Sequence, residues 1–353
     1  MNDYTTLGQS GLRVSRLALG AMTFGTEWGW GADKATARRM FDTYTTAGGN
    51  IIDTADMYTN GESERWVGEF VRDSGLRDRM VIATKFGFSA DPSNPNAGGN
   101  GRKNILRAVE GSLQRLGTDY IDLYLLHAWD MVTPAEEVMR TMDDLVRQGK
   151  VRHIGFSNVP AWYASRAQTM AELRGYERPT ALQLEYSLIE RSIEREFTTL
   201  GMQHGMGVMA WSPLSSGLLS GKYRPSDMGQ FGEGRLQTLQ GSGNPVFDRF
   251  NERNFAIVAE LENVSRELGR SMSQVAVNWV ANRPGVATVL VGATKQAQLE
   301  DNLGALEFEL PAELRARLDA ASATPAPYPY NFFESSLQAM VHGANTVKRA
   351  TTA

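Results

Sequence analysis

The 353-residue chain has no cysteine and only four histidines. The lack of cysteine excludes disulfide bonds, thiolate nucleophiles and cysteine-ligated zinc or iron–sulfur sites. The histidines show neither the H-x-H nor the H-E-x-x-H spacing, which argues against a divalent-metal site. Any catalysis must therefore use other side chains.

The chain also lacks a strong excess of charge and any long apolar run. Its formal net charge is -4 and its lysines and arginines are scattered, so it shows no electrostatic footprint for nucleic acid or an anionic membrane. No apolar run approaches the roughly 20 residues that span a bilayer, and the opening MNDYTTLGQSGLRVS lacks the basic-then-apolar pattern of a signal peptide. We therefore expect a cytoplasmic protein whose partners are small molecules.

Short apolar runs do recur along the chain, separated by segments with helical periodicity. The runs are LALGA at 17–21, IIDT at 51–54, MVIAT at 80–84, IDLYLL at 121–126, VRHIGF at 151–156, ALQL at 181–184, GVMAW at 207–211 and VATVLV at 286–291. Helical patterns cover 33–46, 62–72, 102–116, 134–147, 160–173, 194–204, 271–282 and 295–303.

Strand–helix alternation about every 30 residues is typical of parallel βαβ units. Eight such units favour a closed (β/α)8 TIM barrel over an open doubly wound sheet, and no G-x-G-x-x-G follows the first strand as a Rossmann domain would require. We predict an α/β fold with one barrel domain over residues 1–353. The outer helices of a barrel look alike whether they face solvent or a second copy, so the oligomeric state stays open.

Two stretches interrupt this pattern. After WSPLSSGLLSGKY at 211–223 the chain is Gly-rich and polar to about Val246, and loops of this length in compact domains are usually functional or disordered. We predict that residues 222–246 form a lid over a bound cofactor. The Pro- and aromatic-rich segment 324–333 follows a last helical pattern at 311–321 and predicts an ordered tail lying across a surface.

Four ionisable residues stand at or just after the predicted strands 2, 3 and 4. Asp53 follows two isoleucines, Tyr58 lies in the next loop, Lys85 follows VIAT and His127 follows YLL. In a parallel barrel the functional face lies at the carboxyl ends of the strands. Taken singly, each has an ordinary structural interpretation as a loop cap, a solvated lysine or a packed histidine.

Together these side chains predict a proton-delivery site. A lysine ammonium lowers the pKa of a nearby tyrosine hydroxyl, and an aspartate paired with that lysine keeps the ammonium in place. A histidine can donate a hydrogen bond to the same substrate oxygen. Such a site protonates an alkoxide as hydride reaches a carbonyl carbon.

Seven motifs, in their order along the chain, resemble those of the aldo-keto reductase superfamily. They are DTADMYTNGESE at 53–64, VIATKFG at 81–87, YLLHAWD at 124–130, GFSN at 155–158, LQLEYSLIER at 182–191, WSPLSSGLLSGKY at 211–223 and VLVGATKQAQLEDNLGAL at 289–306. Two further segments, MTFGTEWGWG at 22–31 and RLGTDYIDLYLLH at 115–127, are most similar to bacterial aryl-alcohol-dehydrogenase-like members and also resemble the channel β-subunit branch. The resemblance implies a reversible, NADP(H)-dependent reduction of an aldehyde or ketone, with Asp53, Tyr58, Lys85 and His127 as a catalytic tetrad and Tyr58 as the general acid.

The resemblance also implies an NADP(H) molecule extended across the barrel mouth. The nicotinamide end would be lined by Gly20, Ala21, Met22, Thr23 and Asp53, its carboxamide held by Ser157, Asn158 and Gln183, and its ring stacked on Trp211. The pyrophosphate would be wrapped by Ser212, Pro213, Leu214, Ser216, Gly217, Leu219 and Lys222. The adenosine 2′-phosphate and adenine would be enclosed by Gly292, Thr294, Lys295, Gln298, Asp301 and Asn302.

The chain departs from the family pattern in two places. Thr59–Asn60–Gly61 stands where many relatives have a glycine directly after the tyrosine, which affects the local loop geometry. The adenosine motif reads GATK where many relatives carry an arginine, so the preference for NADP over NAD stays open.

Aromatic residues near the strand ends predict a ring-walled substrate pocket. Candidates are Trp28, Trp30, Phe88 and Trp129 beside Tyr58 and His127, with Tyr328, Tyr330 and Phe332 of the tail as further candidates. Aryl aldehydes, ketones, bulky secondary alcohols and sugar-derived carbonyls all suit such a pocket. Two other functions stay open: a metal-dependent isomerase or hydrolase on the same fold, and a channel-β-subunit-like, cofactor-binding regulatory protein with little turnover. We expect a freestanding enzyme because little sequence precedes the first barrel strand.

Overall fold

The computed structural model describes residues 1–229, 232, 236, 237, 243–333, 336–343 and 345–347. Its strands are β1 (Tyr4–Thr6), β2 (Arg13–Ser15), β3 (Leu17–Gly20), β4 (Ile51–Asp53), β5 (Val81–Phe86), β6 (Ile121–Leu126), β7 (Val151–Ser157), β8 (Pro179–Glu185), β9 (Gly207–Trp211) and β10 (Val286–Val291). Strands β3 to β10 close into a parallel barrel in chain order, with β10 pairing to β3. The predicted (β/α)8 TIM barrel is confirmed.

Helices follow the barrel strands and form the outer layer. They are α1 (Lys34–Thr46), α2 (Glu62–Asp73), α3 (Arg102–Leu116), α4 (Ala135–Arg147), α5 (Ala161–Arg174), α6 (Phe197–His204), α7 (Glu252–Leu268), α8 (Met272–Ala281), α9 (Gln296–Leu303), α10 (Ala312–Ala321), α11 (Tyr330–Phe333) and α12 (Leu337–His342). Sequence reasoning missed α7, although Asn251 caps it by accepting a hydrogen bond from the Asn254 amide at 2.9 Å. It also missed the β1–β2 hairpin.

Alternation along the strands divides the apolar residues into two cores. Side chains such as Ile51, Ala83, Leu125 and Met209 fill the barrel interior, and a larger set packs between the strands and the helices. The hairpin closes the amino-terminal end, where Leu7 and Val14 are fully buried. Because packing fills the barrel from below, its open mouth lies at the carboxyl ends of the strands.

The predicted long connection after the seventh barrel strand is present. It leaves β9 through 3-10 turns at Ser215–Ser220 and Pro225–Asp227 and reaches α7 after a third at Pro245–Phe247. Arg249 ties its end to the barrel, with Nη2 2.5 Å from Oε1 of Glu185 at the end of β8. The predicted lid falls in part on residues 230, 231, 233–235 and 238–242, which lie outside the described residues.

The C-terminal tail runs along the β8–α6 side of the barrel. The Thr324 carbonyl accepts from Arg195, and the Tyr330 hydroxyl donates to Glu196 Oε1 at 2.5 Å. Tyr328 is 79% exposed and Phe332 47% exposed. The predicted tail is therefore ordered at residues 324–333. Among the residues described, no helix has both the length and the apolar character needed to cross a bilayer.

Candidate active site

The four ionisable residues predicted from strand positions do meet at one end of the barrel. Asp53 is the last residue of β4, and Lys85 lies inside β5, which is longer than its apolar run predicted. Both side chains point into the barrel, because they alternate with residues that face the helices. Tyr58 begins a 3-10 turn after β4, and His127 directly follows β6.

Lys85 is the hub of this group. Its Nζ donates to Asp53 Oδ2 and to the Thr54 carbonyl, both at 2.7 Å, and to the Tyr58 hydroxyl at 3.2 Å. The other carboxylate oxygen of Asp53 accepts from Gln183 Nε2 at 2.6 Å. With three acceptors for its three protons, the ammonium is fully hydrogen-bonded, and one of its bonds goes to the tyrosine oxygen.

Burial controls the ionisation of this group. Burial lowers the pKa of Lys85, but the charges and hydrogen bonds of Asp53 and Tyr58 together outweigh it, so the lysine pKa is raised and the ammonium is retained. Burial also raises the pKa of Tyr58 above its ordinary value, and this outweighs the opposing effect of Lys85. Lys85 thus lowers the tyrosine pKa as the sequence predicted, but burial raises that pKa by more, and the hydroxyl keeps its proton at neutral pH.

His127 faces Tyr58 with its ring edge. The two ring centroids are 5.7 Å apart at an interplanar angle of 81°. Burial, together with repulsion from Lys85, holds the pKa of His127 well below its usual value. The neutral imidazole carries one N–H, and its Nδ1 is buried without a hydrogen-bond partner among the described residues. The neutral imidazole can therefore donate its N–H to a substrate oxygen, and because it is uncharged the Lys85 ammonium does not repel it.

Three aromatic rings surround the Tyr58–His127 pair. The Trp28 ring makes an edge contact with the Tyr58 ring, with 6.2 Å between their centroids, and its centroid lies 5.4 Å from that of Trp30. Phe88 lies 4.8 Å from the His127 ring and is 43% exposed. We call Trp28, Trp30 and Phe88 the aromatic wall; that they line a substrate pocket stays a prediction. Trp129, predicted with them, has its recorded ring contacts with Trp162 and Tyr163 on α5.

The residues expected at a nicotinamide line the same mouth. Gly20 ends β3 beside Gly292, and Ala21 to Thr23 form a 3-10 turn in which the Thr23 hydroxyl donates to the Ala293 carbonyl at 2.7 Å. Met22 is half-buried in this turn. Across the mouth, Asn158 Nδ2 donates to the His127 carbonyl at 2.9 Å and to Ser157 Oγ at 3.0 Å.

Trp211 and the turn after it carry buried polar groups. Trp211 Nε1 and Ser215 Oγ are both buried and lack hydrogen-bond partners in the described part of the chain. Ser212, Ser215 and Ser216 have left-handed φ values of 56°, 46° and 55°. Successive amides in such turns form anion-binding concavities.

The remaining side chains of this turn fit a dinucleotide phosphate. The Lys222 ammonium lies close to this turn, since its Nζ is 2.9 Å from the position that a Cβ on Gly217 would take. Pro213 and Leu219 are buried, and Leu214 is half-buried. An anion held here would meet both backbone amides and a lysine, so the set suits a pyrophosphate. Ser215 lies within the predicted segment Ser212–Gly217, and its hydroxyl is buried there.

The loop from β10 into α9 brings together most of the third predicted set. Gln298 Oε1 accepts hydrogen bonds from the backbone amides of Thr294 and Lys295 at 3.1 and 3.2 Å. These two amides before α9 are therefore already hydrogen-bonded. Lys295 and Gly292 are exposed and Asn302 is buried. Asp301 instead accepts from the Ser271 hydroxyl at 2.7 Å, at the cap of α8.

Comparison with known proteins places these features in one family. The aldo/keto reductase family model matches residues 16–323. A protein named aryl-alcohol dehydrogenase [NADP(+)] from Phanerodontia chrysosporium is 33% identical over 350 residues, covering 95% of this chain and 89% of that protein. Norsolorinic acid reductase of Aspergillus flavus is 33% identical over 93% of this chain and 83% of its own length. A probable voltage-gated potassium channel subunit beta of Oryza sativa subsp. japonica is 35% identical, with 86% and 91% covered.

Proposed function

The chain belongs to the aldo/keto reductase family, and from that premise we propose that it is an NADP(H)-dependent oxidoreductase that reduces an aldehyde or ketone to an alcohol, reversibly. The observation that carries this proposal is the buried Tyr58 hydroxyl, 3.2 Å from a lysine ammonium that Asp53 holds in place. A protonated phenol beside a fixed cation is suited to giving up its proton when negative charge develops on a neighbouring oxygen.

Each residue of the group has a separate task in the proposed reaction. The reduced nicotinamide, when bound, supplies the hydride that forms the new C–H bond. Tyr58 transfers its proton to the carbonyl oxygen, so that the carbonyl is reduced without leaving an alkoxide. Lys85 stabilises the tyrosinate that remains. Neutral His127 donates a hydrogen bond to the same oxygen and orients it.

The proposed cofactor residues are the ones already described at the mouth. Trp211 would stack on the nicotinamide, with Gln183, Ser157 and Asn158 at its carboxamide. The turn from Ser212 to Gly217 with Lys222 would hold the pyrophosphate. Lys295 is an exposed cation near the start of α9 and would engage the 2′-phosphate that distinguishes NADP from NAD.

An aromatic aldehyde is the substrate class that the wall of Trp28, Trp30 and Phe88 supports best. Flat rings pack edge to face against such a wall and place the carbonyl near Tyr58 and His127. A relative whose name specifies aryl alcohols and NADP(+) points the same way.

The test is turnover of the purified protein with benzaldehyde and 2-naphthaldehyde, followed by NADPH or NADH absorbance. The proposal expects saturable reduction with NADPH. Saturable NADPH binding without turnover of any carbonyl in a broad panel would contradict the enzyme assignment and favour a cofactor-binding protein such as the channel subunit relative.

A further inference from the structure

The turn directly after Tyr58 has an unusual backbone. Thr59 and Asn60 both adopt left-handed conformations, with φ/ψ of 46°/44° and 56°/34°. A β-branched residue rarely occupies this region, and it is found there only when its surroundings over-determine it. Some interaction of Thr59 must therefore hold the turn in place.

Thr59 is fully buried and uses its hydroxyl twice. Oγ1 donates to the Phe24 carbonyl at 2.8 Å and accepts from the Ser63 amide at 3.1 Å. Its methyl side packs on Gly25, where an added Cβ would lie 2.7 Å from Thr59 Cγ2. One side chain thus joins the Tyr58 turn, the start of α2 and the segment that begins at Phe24.

That segment, residues 24–32, carries the two tryptophans of the aromatic wall. Its ends are held by backbone bonds from the Gly25 amide to the Ala32 carbonyl at 3.1 Å and from the Ala32 amide to the Thr23 carbonyl at 2.7 Å. Further along this segment, the Trp28 ring contacts the Tyr58 ring, with 6.2 Å between the two ring centroids. The loop therefore meets the tyrosine turn at its base through Thr59 and at its tip through Trp28.

We propose that Thr59 is a positioning residue for substrate selection: its hydroxyl fixes the 24–32 loop to the Tyr58 turn and thereby holds the tryptophan wall beside the proton donor. The proposal rests on the proposed carbonyl reduction for its kinetic consequence, while its structural consequence is independent of any activity. Loss of the hydroxyl frees the loop, so aromatic substrates lose their wall, whereas the contacts among Tyr58, Lys85 and Asp53 stay in place.

The key variant is Thr59→Val, which keeps the branched shape and removes both hydrogen bonds. Thr288→Val is the matched control, because Thr288 is also fully buried and donates to a backbone carbonyl, that of Ser15 at 2.8 Å, at the opposite end of the barrel. Thr59→Ser retains the hydroxyl. Thr59→Gly removes it and accepts the left-handed backbone without strain, so it replaces Thr59→Val if that variant fails to fold.

The first readout is hydrogen–deuterium exchange at the Gly25 and Ala32 amides. We expect exchange about 10-fold faster in Thr59→Val and Thr59→Gly, and wild-type rates in Thr59→Ser and Thr288→Val. Unchanged exchange in both hydroxyl-free variants would overturn the proposal. This measurement needs no turnover, so it decides the role of Thr59 even if the proposed function fails.

The second readout is steady-state reduction of 2-naphthaldehyde against propanal. We expect the hydroxyl-free variants to raise KM for 2-naphthaldehyde about 5-fold with little change in kcat, to leave KM for propanal within about 2-fold, and Thr59→Ser to restore the wild-type values. An equal rise for both aldehydes, or none for either, would contradict a role in holding the wall.

Discussion

Replacing Lys85 with methionine removes the ammonium of the buried pair and leaves the Asp53 carboxylate without its cation. The two side chains are 0% and 3% exposed and their charged atoms are 2.7 Å apart. Breaking such a pair from one side costs about 3–5 kcal/mol, because a buried charge is left uncompensated. Asp53 keeps its bond from Gln183 at 2.6 Å, so we expect a loss of unfolding free energy near 3 kcal/mol, the lower end of that range.

An exposed pair of the same length supplies the control. Lys34 and Glu69 are also 2.7 Å apart, but their side chains are 48% and 36% exposed. Solvent screens such pairs, so Lys34→Met should cost less than about 1 kcal/mol. The assay is urea denaturation near neutral pH, followed by tryptophan fluorescence and circular dichroism. A loss in Lys85→Met no larger than that in Lys34→Met would show that the buried pair contributes no more to stability than an exposed one.

A double variant separates the charge effect from lost packing. In Asp53→Asn/Lys85→Met no unpaired charge remains, so it should be more stable than Lys85→Met alone. The folded-state pKa of Lys85 is raised above its unfolded value. The contribution of the Lys85 ammonium to stability is therefore fully present below the unfolded-state lysine pKa and is lost only as pH rises through the folded-state pKa, so neutral and mildly alkaline buffers should give the same difference.

Three further predictions follow from individual contacts. Because burial raises the pKa of Tyr58, the ultraviolet difference between wild type and Tyr58→Phe, both free of cofactor, should show no tyrosinate below about pH 10, and a tyrosinate band titrating near neutrality would contradict this. Wild type should bind NADPH more tightly than NADH in fluorescence titrations. Added salt, or the Lys295→Ala substitution, should reduce the difference between the two affinities. Equal affinities in wild type would contradict the assignment of Lys295 to the 2′-phosphate. Asp319 on α10 accepts hydrogen bonds through Oδ1 from Trp279 and Arg283, both at 2.9 Å. Asp319→Ala should therefore lower the free energy of unfolding by about 1–3 kcal/mol and leave turnover unchanged. A variant as stable as wild type would show that other contacts hold α10 on the barrel.

Periodicity and strand position predicted the parts of the fold that depend on burial. Each apolar run had to be buried on both faces, as in a parallel sheet covered by helices, and in a closed barrel the residues at the ends of such strands had to meet at one mouth. Asp53, Lys85 and His127 could be placed together for that reason. The β1–β2 hairpin was missed because its two three-residue strands are too short to show a period.

Loop contacts and ionisation could not be predicted in the same way. The direction in which the Tyr58 pKa is shifted depends on how completely the barrel buries the hydroxyl, and a local sequence motif does not determine that burial. Trp129 follows His127 by two residues, yet its ring contacts lie on α5 because side-chain direction in a loop follows no fixed period. The departure at Thr59–Asn60 was visible in the sequence, but its left-handed backbone and its bond to Phe24 required the structure.

In the proposed reaction Tyr58 delivers the proton, and the Tyr58→Phe variant isolates that step. The variant keeps the ring beside Trp28 and His127 and removes only the hydroxyl 3.2 Å from Lys85. Single-turnover reduction of 2-naphthaldehyde should slow by about 10² to 10⁴-fold while the NADPH affinity, measured by fluorescence, stays at the wild-type value. Reduction at a rate near that of wild type would contradict the assignment of Tyr58 as the proton donor.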